Sequence, residues 1–266
     1  MRQYVSNKSF GDDGLLEIIG KDFRYLRNVL RMRAGDMVSV RLPDGSFSNS
    51  TVCVVDDRAK KIVLQICVDT EFGQSGGENQ SDYSARTEIW LFMFVPKAQK
   101  AELIVRQAAE CGVSRIIPVQ SDYSAAGAGK INFNSERFER IIKEARQQSG
   151  SPVPTELGCC VPLEKAVELW KERVQGNEGN CFSCVMYERN EKSRTMKKAF
   201  EGRKEPFDAA CIACGSEGGI SPGEIDFLEK SGFSVIHFDT NILRCETASL
   251  YGIAVLQSEL SGLGRE

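Results

Sequence analysis

The sequence predicts an α/β fold with a mostly parallel sheet, preceded by a small β-barrel. Three observations carry this expectation. From residue 88 onward, strand-like and helix-like runs alternate, the pattern of a parallel sheet covered by helices. Residues 1–72 instead carry short β-like runs separated by turn signals, as in a small barrel. Between them, residues 73–86 have no periodicity and few apolar side chains, and read as a linker. The expected organisation is a β-barrel over 1–72, the linker, and an α/β domain over 87–266.

Each element has its own warrant. In the first segment Met37-Val38-Ser39-Val40-Arg41-Leu42 alternates, Pro43-Asp44-Gly45 marks a turn, and Thr51-Val52-Cys53-Val54-Val55 follows. Asp56-Asp57-Arg58 marks another turn before a strand over 61–68. Residues 23–32 place Leu26, Val29 and Leu30 at the i, i+3, i+4 spacing of a helix, which turns its arginines toward the open face. In the second segment a strand over 88–95 precedes a helix over 98–111 that Gly112 stops. A strand over 113–119 follows, then a helix capped by Ser135 with Phe138, Ile141, Ile142 and Ala145 on one face. A helix over 163–173 leads to strands around Cys181 and Cys211. Ser221, Pro222 and Glu224 give the next helix a cap, a first-position proline and a capping box. A strand over 235–238 and a helix over 246–260 complete the chain.

Composition narrows the function. A hydrophobic fraction of 41% and a charged fraction of 27% belong to an ordinary globular protein. No apolar run approaches the roughly 20 residues of a membrane helix. The opening Met1-Arg2-Gln3-Tyr4-Val5 has no signal-peptide core, so a cytoplasmic location is expected. Cys181-x-x-Cys184 and Cys211-x-x-Cys214 resemble zinc ligand pairs, but each lies in a strand-like apolar run. Residues i and i+3 of a strand point to opposite faces, so no metal is expected there. His237, the single histidine, sits in another strand-like run and reads as a core or strand-end residue. Net charge is −3, yet Lys21, Arg24, Arg27, Arg31 and Arg33 face only Asp22. That cluster can engage phosphates even on an acidic protein, the alternative being a solvated basic helix face.

Two loops could carry chemistry. Gly215-Ser216-Glu217-Gly218-Gly219 follows a buried strand and precedes a capped helix, the strand-end position where α/β sheets bind ligands. Alone, it could be an ordinary glycine turn. Asp239 to Thr247 presents Asn241, Arg244, Glu246 and Thr247 beside Ile242 and Leu243, a mix suited to a ligand with an apolar face and a charged tail. It could equally be a helix N-terminus with favourable dipole contacts.

Taken together the loops are specific. GSEGGIS, a spacer, then ILRCETASLYGIAVLQ resembles the signature of the RsmE-type uridine-N3 methyltransferases of small-subunit ribosomal RNA, a branch of the knotted SPOUT class. Tyr25 to Arg31 with Gly35-Asp36, Lys97, Glu110 to Val113, Ile117-Pro118 and Glu144 to Gly150 resemble further blocks of that family. The resemblance implies a PUA-like N-terminal barrel, a C-terminal domain with a deep trefoil knot, and a homodimer formed through the knotted region. It implies S-adenosyl-L-methionine as cofactor, held by Met186, Glu188, Gly215, Glu217, Gly218, Gly219, Ile242, Leu243, Arg244 and Thr247. It implies a small-subunit ribosomal RNA substrate whose phosphates meet Arg24, Arg27, Arg31 and Lys97. Arg244 would stabilise the uracil anion that forms as N3 loses its proton, and Glu246 would orient Arg244 or act as base.

The chain departs from the family pattern at Ser216, at Asp239-Thr240-Asn241, at Gln107, at Asp122-Tyr123 and at Gln147 to Ser151. Two other readings accompany the first. One is a knotted methyltransferase acting on transfer RNA or another ribosomal nucleotide. The other is a dimeric RNA-binding protein without catalysis.

Overall fold

A computed structural model describes residues 3–67, 87–124, 130–189 and 194–263. The expected linker over 73–86 lies outside the described residues. The chain divides into two units, Met1–Tyr83 with Arg146–Pro152, and Ser84–Ala145 with Val153–Glu266. Periodicity assigns 146–152 to the second domain. It groups with the first because Gln3 Nε2 donates to the Arg146 and Ser151 carbonyls at 2.9 and 3.2 Å.

The first unit is built on a five-stranded sheet. Its strands are β1 (Gln3–Val5), β2 (Leu15–Ile19), β3 (Met37–Arg41), β4 (Phe47–Asp56) and β5 (Lys61–Ile66), in the order β1-β3-β4-β5-β2. Only the β1–β3 pairing is parallel. The turn signals act as expected. Gly45 takes a positive φ of 84° and donates to the Leu42 carbonyl, while Asp56 Oδ1 accepts from the Arg58 and Ala59 amides. A bulge between Val52 and Val54 turns Cys53 outward. Leu16, Ile18, Leu26, Val38, Val40, Val52, Ile62 and Leu64 form the core.

The expected helix over 23–32 is corrected. A five-residue α-helix, α1 (Gly20–Arg24), passes into a π-helical turn over Tyr25–Val29, closed by the Leu30 amide on the Tyr25 carbonyl five residues back. The wider turn breaks the i, i+3, i+4 register. Leu26 is fully buried while Val29 is 61% exposed.

The second unit is an α/β sandwich with a parallel sheet. Its strands are β6 (Glu88–Phe94), β7 (Arg115–Gln120), β8 (Glu156–Leu157), β9 (Val161–Pro162), β10 (Cys181–Met186), β11 (Ala209–Cys214) and β12 (Ser234–Ile236). They run β12-β10-β11-β6-β7-β8, with β9 also on β7, and every pairing is parallel. The helices are α2 (Ala98–Glu110), α3 (Glu136–Ser149), whose residues from Arg146 on group with the first unit, α4 (Leu163–Val174), α5 (Met196–Ala199), α6 (Pro222–Lys230) and α7 (Cys245–Gly262).

Two cores lie on opposite faces of the sheet. Leu91, Met93, Cys184, Ile212 and Cys214 meet Ile104, Val105 and Ala108 of α2 and Ile253 and Leu256 of α7. Trp90, Phe92, Val185, Cys211 and Ala213 meet Ala166 and Trp170 of α4 and Ile225 and Leu228 of α6. The period-2 alternation of β-strands sorts the cysteines: Cys184 and Cys214 fall on one face, Cys181 and Cys211 on the other. Among the described residues no helix is long and apolar enough to cross a membrane, and no group of three ligating side chains could hold a metal ion. The strand expected over 235–238 ends at Ile236. The next two residues leave the ladder, and His237 lies at its end with Nδ1 3.2 Å from the Tyr187 carbonyl.

Candidate active site

The C-terminal ends of β6, β10 and β11 carry the polar cluster. After Cys214 the chain tightens at once: the Gly219 amide donates to the Ser216 carbonyl at 3.0 Å, and Gly219 takes a φ of 77°. A side chain at Gly215 would place its Cβ 2.9 Å from the Gly219 carbonyl carbon, so the turn closes on itself only without one. The capping box then starts α6. Ser221 Oγ accepts from the Glu224 amide, and Glu224 Oε2 accepts from the Ser221 amide.

Glu217, near the apex of this turn, reaches the start of α2. Its carboxylate accepts from the Lys97 amide at 3.2 and 3.3 Å, where the positive end of the helix dipole favours an anion. Lys100, in the first turn of α2, places Nζ 3.8 Å from Glu217 Oε1 and 3.1 Å from Glu246 Oε2. One ammonium therefore joins three helix ends: α2, the turn before α6, and the first turn of α7. Cys245 Sγ also donates to Glu246 Oε2 at 3.3 Å.

The charges are tuned by this arrangement. Desolvation works to raise the Glu246 carboxyl, but its own backbone amide, Lys100 and Cys245 outweigh that and hold it below the usual carboxylate range. The hydrogen bond to Glu246 lifts Lys100 above its ordinary value. Burial, then the Glu246 carboxylate, push the Cys245 thiol up to about 12, so it is a neutral packing and donor group.

Met186 and Glu188 extend the site from the end of β10. Met186 Sδ accepts from Cys214 Sγ at 3.6 Å and occupies the space left by Gly252, whose Cβ would lie 2.2 Å from that sulfur. A Cβ on Gly219 would be 3.7 Å from the Glu188 carboxylate, so the bare glycine leaves an opening facing an exposed anion. The structure thus groups Met186, Glu188, Gly215, Glu217, Gly218, Gly219 and the Lys97 amide. Arg244, Thr247 and Ile242 (90% exposed) are at the surface and Leu243 is half-buried, all at the entry to α7.

Glu246 pairs with Lys100. Among the described residues no hydrogen bond links it to Arg244, whose side chain is exposed. In the first unit Arg24 and Arg31 are exposed, whereas the Arg27 guanidinium is committed to both oxygens of Asp57 at 2.8 and 2.9 Å. Lys100 is the residue that sequence reasoning missed. A cation in the first turn of a helix opposes the dipole and so calls for carboxylates nearby, but local spacing names neither Glu217 nor Glu246 as those partners.

The sequence pattern of the RNA methyltransferase domain matches residues 84–257. Over 256 residues the chain is 28% identical to ribosomal RNA small subunit methyltransferase E 2 of Borreliella burgdorferi, covering 91% of this chain and 92% of that one. It is 25% identical to ribosomal RNA small subunit methyltransferase E of Bacillus subtilis, covering 91% and 90%. Its fold matches the small subunit methyltransferase E of Neisseria gonorrhoeae, solved bound to S-adenosyl methionine, with a TM-score of 0.75 at 20% identity over 97% of both chains. A Legionella pneumophila methyltransferase, also in complex with that cofactor, gives 0.74 at 21% over 96% of both. With the family pattern running from the start of the second unit through most of α7, and so across the whole polar cluster, the chain belongs to the RNA methyltransferase domain family.

Proposed function

We propose that this protein transfers a methyl group from S-adenosylmethionine to N3 of a uridine in 16S ribosomal RNA of the small subunit. The observation that carries the reading is the junction of Glu217, Lys100 and Glu246, which brings both signature loops to one end of the parallel sheet. The names of the full-length relatives support the substrate class. The N-terminal unit is read as a PUA-like barrel that binds RNA through Arg24 and Arg31. The second unit is read as a knotted SPOUT domain that pairs with a second copy, and the cytoplasm as the place of action.

The residues present fit the cofactor. Glu188 faces the gap at Gly219 and can accept from ribose hydroxyls, while Leu243 and Ile242 offer apolar surface to a purine. Carboxylates of Glu217 and Glu188 suit a cationic sulfonium. When bound, S-adenosylmethionine supplies an electrophilic methyl carbon. Arg244, whose exposed side chain makes no hydrogen bond among the described residues, is assigned to the uracil oxygen on which negative charge develops as N3 gives up its proton to solvent water. Glu246, depressed in basicity and paired with Lys100, is assigned to fixing the first turn of α7 and not to taking the proton.

Titration calorimetry with S-adenosylmethionine tests the cofactor reading. Binding that weakens on Gly219→Val is expected. A folded protein that binds no S-adenosylmethionine would leave the RNA-binding reading in its place.

A further inference from the structure

The rim of the Gly215–Gly219 turn carries an aromatic ring that makes no ring contact among the described residues. Tyr123 follows the end of β7 and is 46% exposed. Its backbone is held from two sides. Ser216 Oγ donates to the Tyr123 carbonyl at 3.1 Å. The neighbouring Asp122 amide donates to Glu224 Oε1 at 3.0 Å, and Asp122 Oδ2 accepts from Ser221 Oγ at 2.7 Å. Gly218 lies directly against it: a Cβ there would stand 2.8 Å from the Tyr123 Cβ and 3.2 Å from its carbonyl oxygen. Yet the ring makes no aromatic contact and the hydroxyl no hydrogen bond among the described residues. Tyr251, comparably exposed, is edge-on to Phe238 at 5.1 Å.

A large ring left open on a fixed backbone beside the candidate transfer site suits a flat, apolar-faced ligand. N3 lies on the Watson–Crick edge of uracil, so a base methylated there must leave its pairing and stack, and needs a surface on which to do so. Aromatic side chains provide that surface for unpaired bases. We propose that Tyr123 is the stacking platform for the extruded pyrimidine of the RNA substrate. Gly218 and Ser216 set its place, so the turn read as a cofactor loop also positions the acceptor base. This rests on the methyltransferase reading above for its purpose, but not for its test.

The test compares the wild-type protein with Tyr123→Ala and Tyr123→Phe. Two probes serve: an oligouridylate of about twelve nucleotides, and an abasic ribose-phosphate strand of the same length. Wild type and Tyr123→Phe are expected to bind the oligouridylate about tenfold more tightly than the abasic strand, and Tyr123→Ala to lose that preference. Affinity of all three for S-adenosylmethionine is expected to agree within about twofold, since a merely structural role would lower it. A retained preference in Tyr123→Ala, an equal loss on both strands, or a matching loss of S-adenosylmethionine affinity would each overturn the proposal. A wild-type protein that prefers oligouridylate through Tyr123 but transfers no methyl group to RNA would sink the methyltransferase reading and leave the platform standing.

Discussion

The Lys100 ammonium lies 3.1 Å from the Glu246 carboxylate and so ties the first turn of α2 to the first turn of α7. With Glu217 at 3.8 Å, the lysine lies between two carboxylates that would otherwise repel across a narrow gap, and offsets one of their two charges. Lys100→Met should therefore weaken S-adenosylmethionine binding several-fold and lower stability by about 1 kcal/mol, discounted for the partial exposure of the pair.

The pH dependence of that loss has a definite sign. Glu246 is depressed in the folded state, so its contribution is full above its unfolded value of about 4.3 and fades as pH falls through the lower folded one. Lys100 is raised, so its contribution is full below about 10.4 and fades as pH rises through the higher folded value. The stability gap between wild type and Lys100→Met, read from urea midpoints, should be flat between those limits and shrink outside them. A gap that changes through neutral pH would assign the effect to another group.

Gly252 should resist a methyl group despite sitting inside a helix. Gly252→Ala gains about 1 kcal/mol of helix propensity but places Cβ against Met186 Sδ and Ile212 Cδ1. Overpacking of a buried interface costs about 1–3 kcal/mol, so net destabilisation is expected. Adding Met186→Ala should relieve much of the Gly252→Ala cost. A double-mutant cycle in urea with no coupling would mean that α7 shifts as a body instead.

The periodicity of the second unit was legible because β6, β7 and β11 are almost wholly buried, α2, α3 and α4 are amphipathic, and α6 is well capped. The Ser221-Pro222-Glu224 capping box appears in the structure as read, as does the sorting of the four CxxC cysteines to opposite faces. Local spacing failed at Val29, where a π-turn adds one residue to the register. It also could not reveal Lys100, whose partners lie 117 and 146 positions away in the chain and meet it only through the sheet. The knot likewise has no periodic signature, and its expectation came from the resemblance alone.

The basic block of the first unit should divide in its response to salt. Arg24→Ala and Arg31→Ala should each lower the salt-dependence slope of 16S ribosomal RNA binding by about 1, as loss of one phosphate contact does. Arg27→Ala should change it less, because Asp57 already occupies that guanidinium. Filter-binding slopes that fall equally for all three would mean that the RNA displaces Asp57.

Arg244 carries the electrophilic role in the proposed reaction. Arg244→Ala should lower kcat by about 10²–10³ while the thermal midpoint stays near that of wild type. Near-normal turnover in single-turnover assays would remove it from that role.

The most direct measurement is mass spectrometry of nucleosides from unmethylated small ribosomal subunits incubated with the purified protein and isotopically labelled S-adenosylmethionine. The junction of the Gly215–Gly219 turn and the α7 entry is read as a site for methyl transfer to uridine N3, and the expected product is labelled 3-methyluridine at a single 16S position. Label in another nucleoside would contradict the substrate assignment, and RNA without label would contradict the reading of the junction as a methyltransferase site.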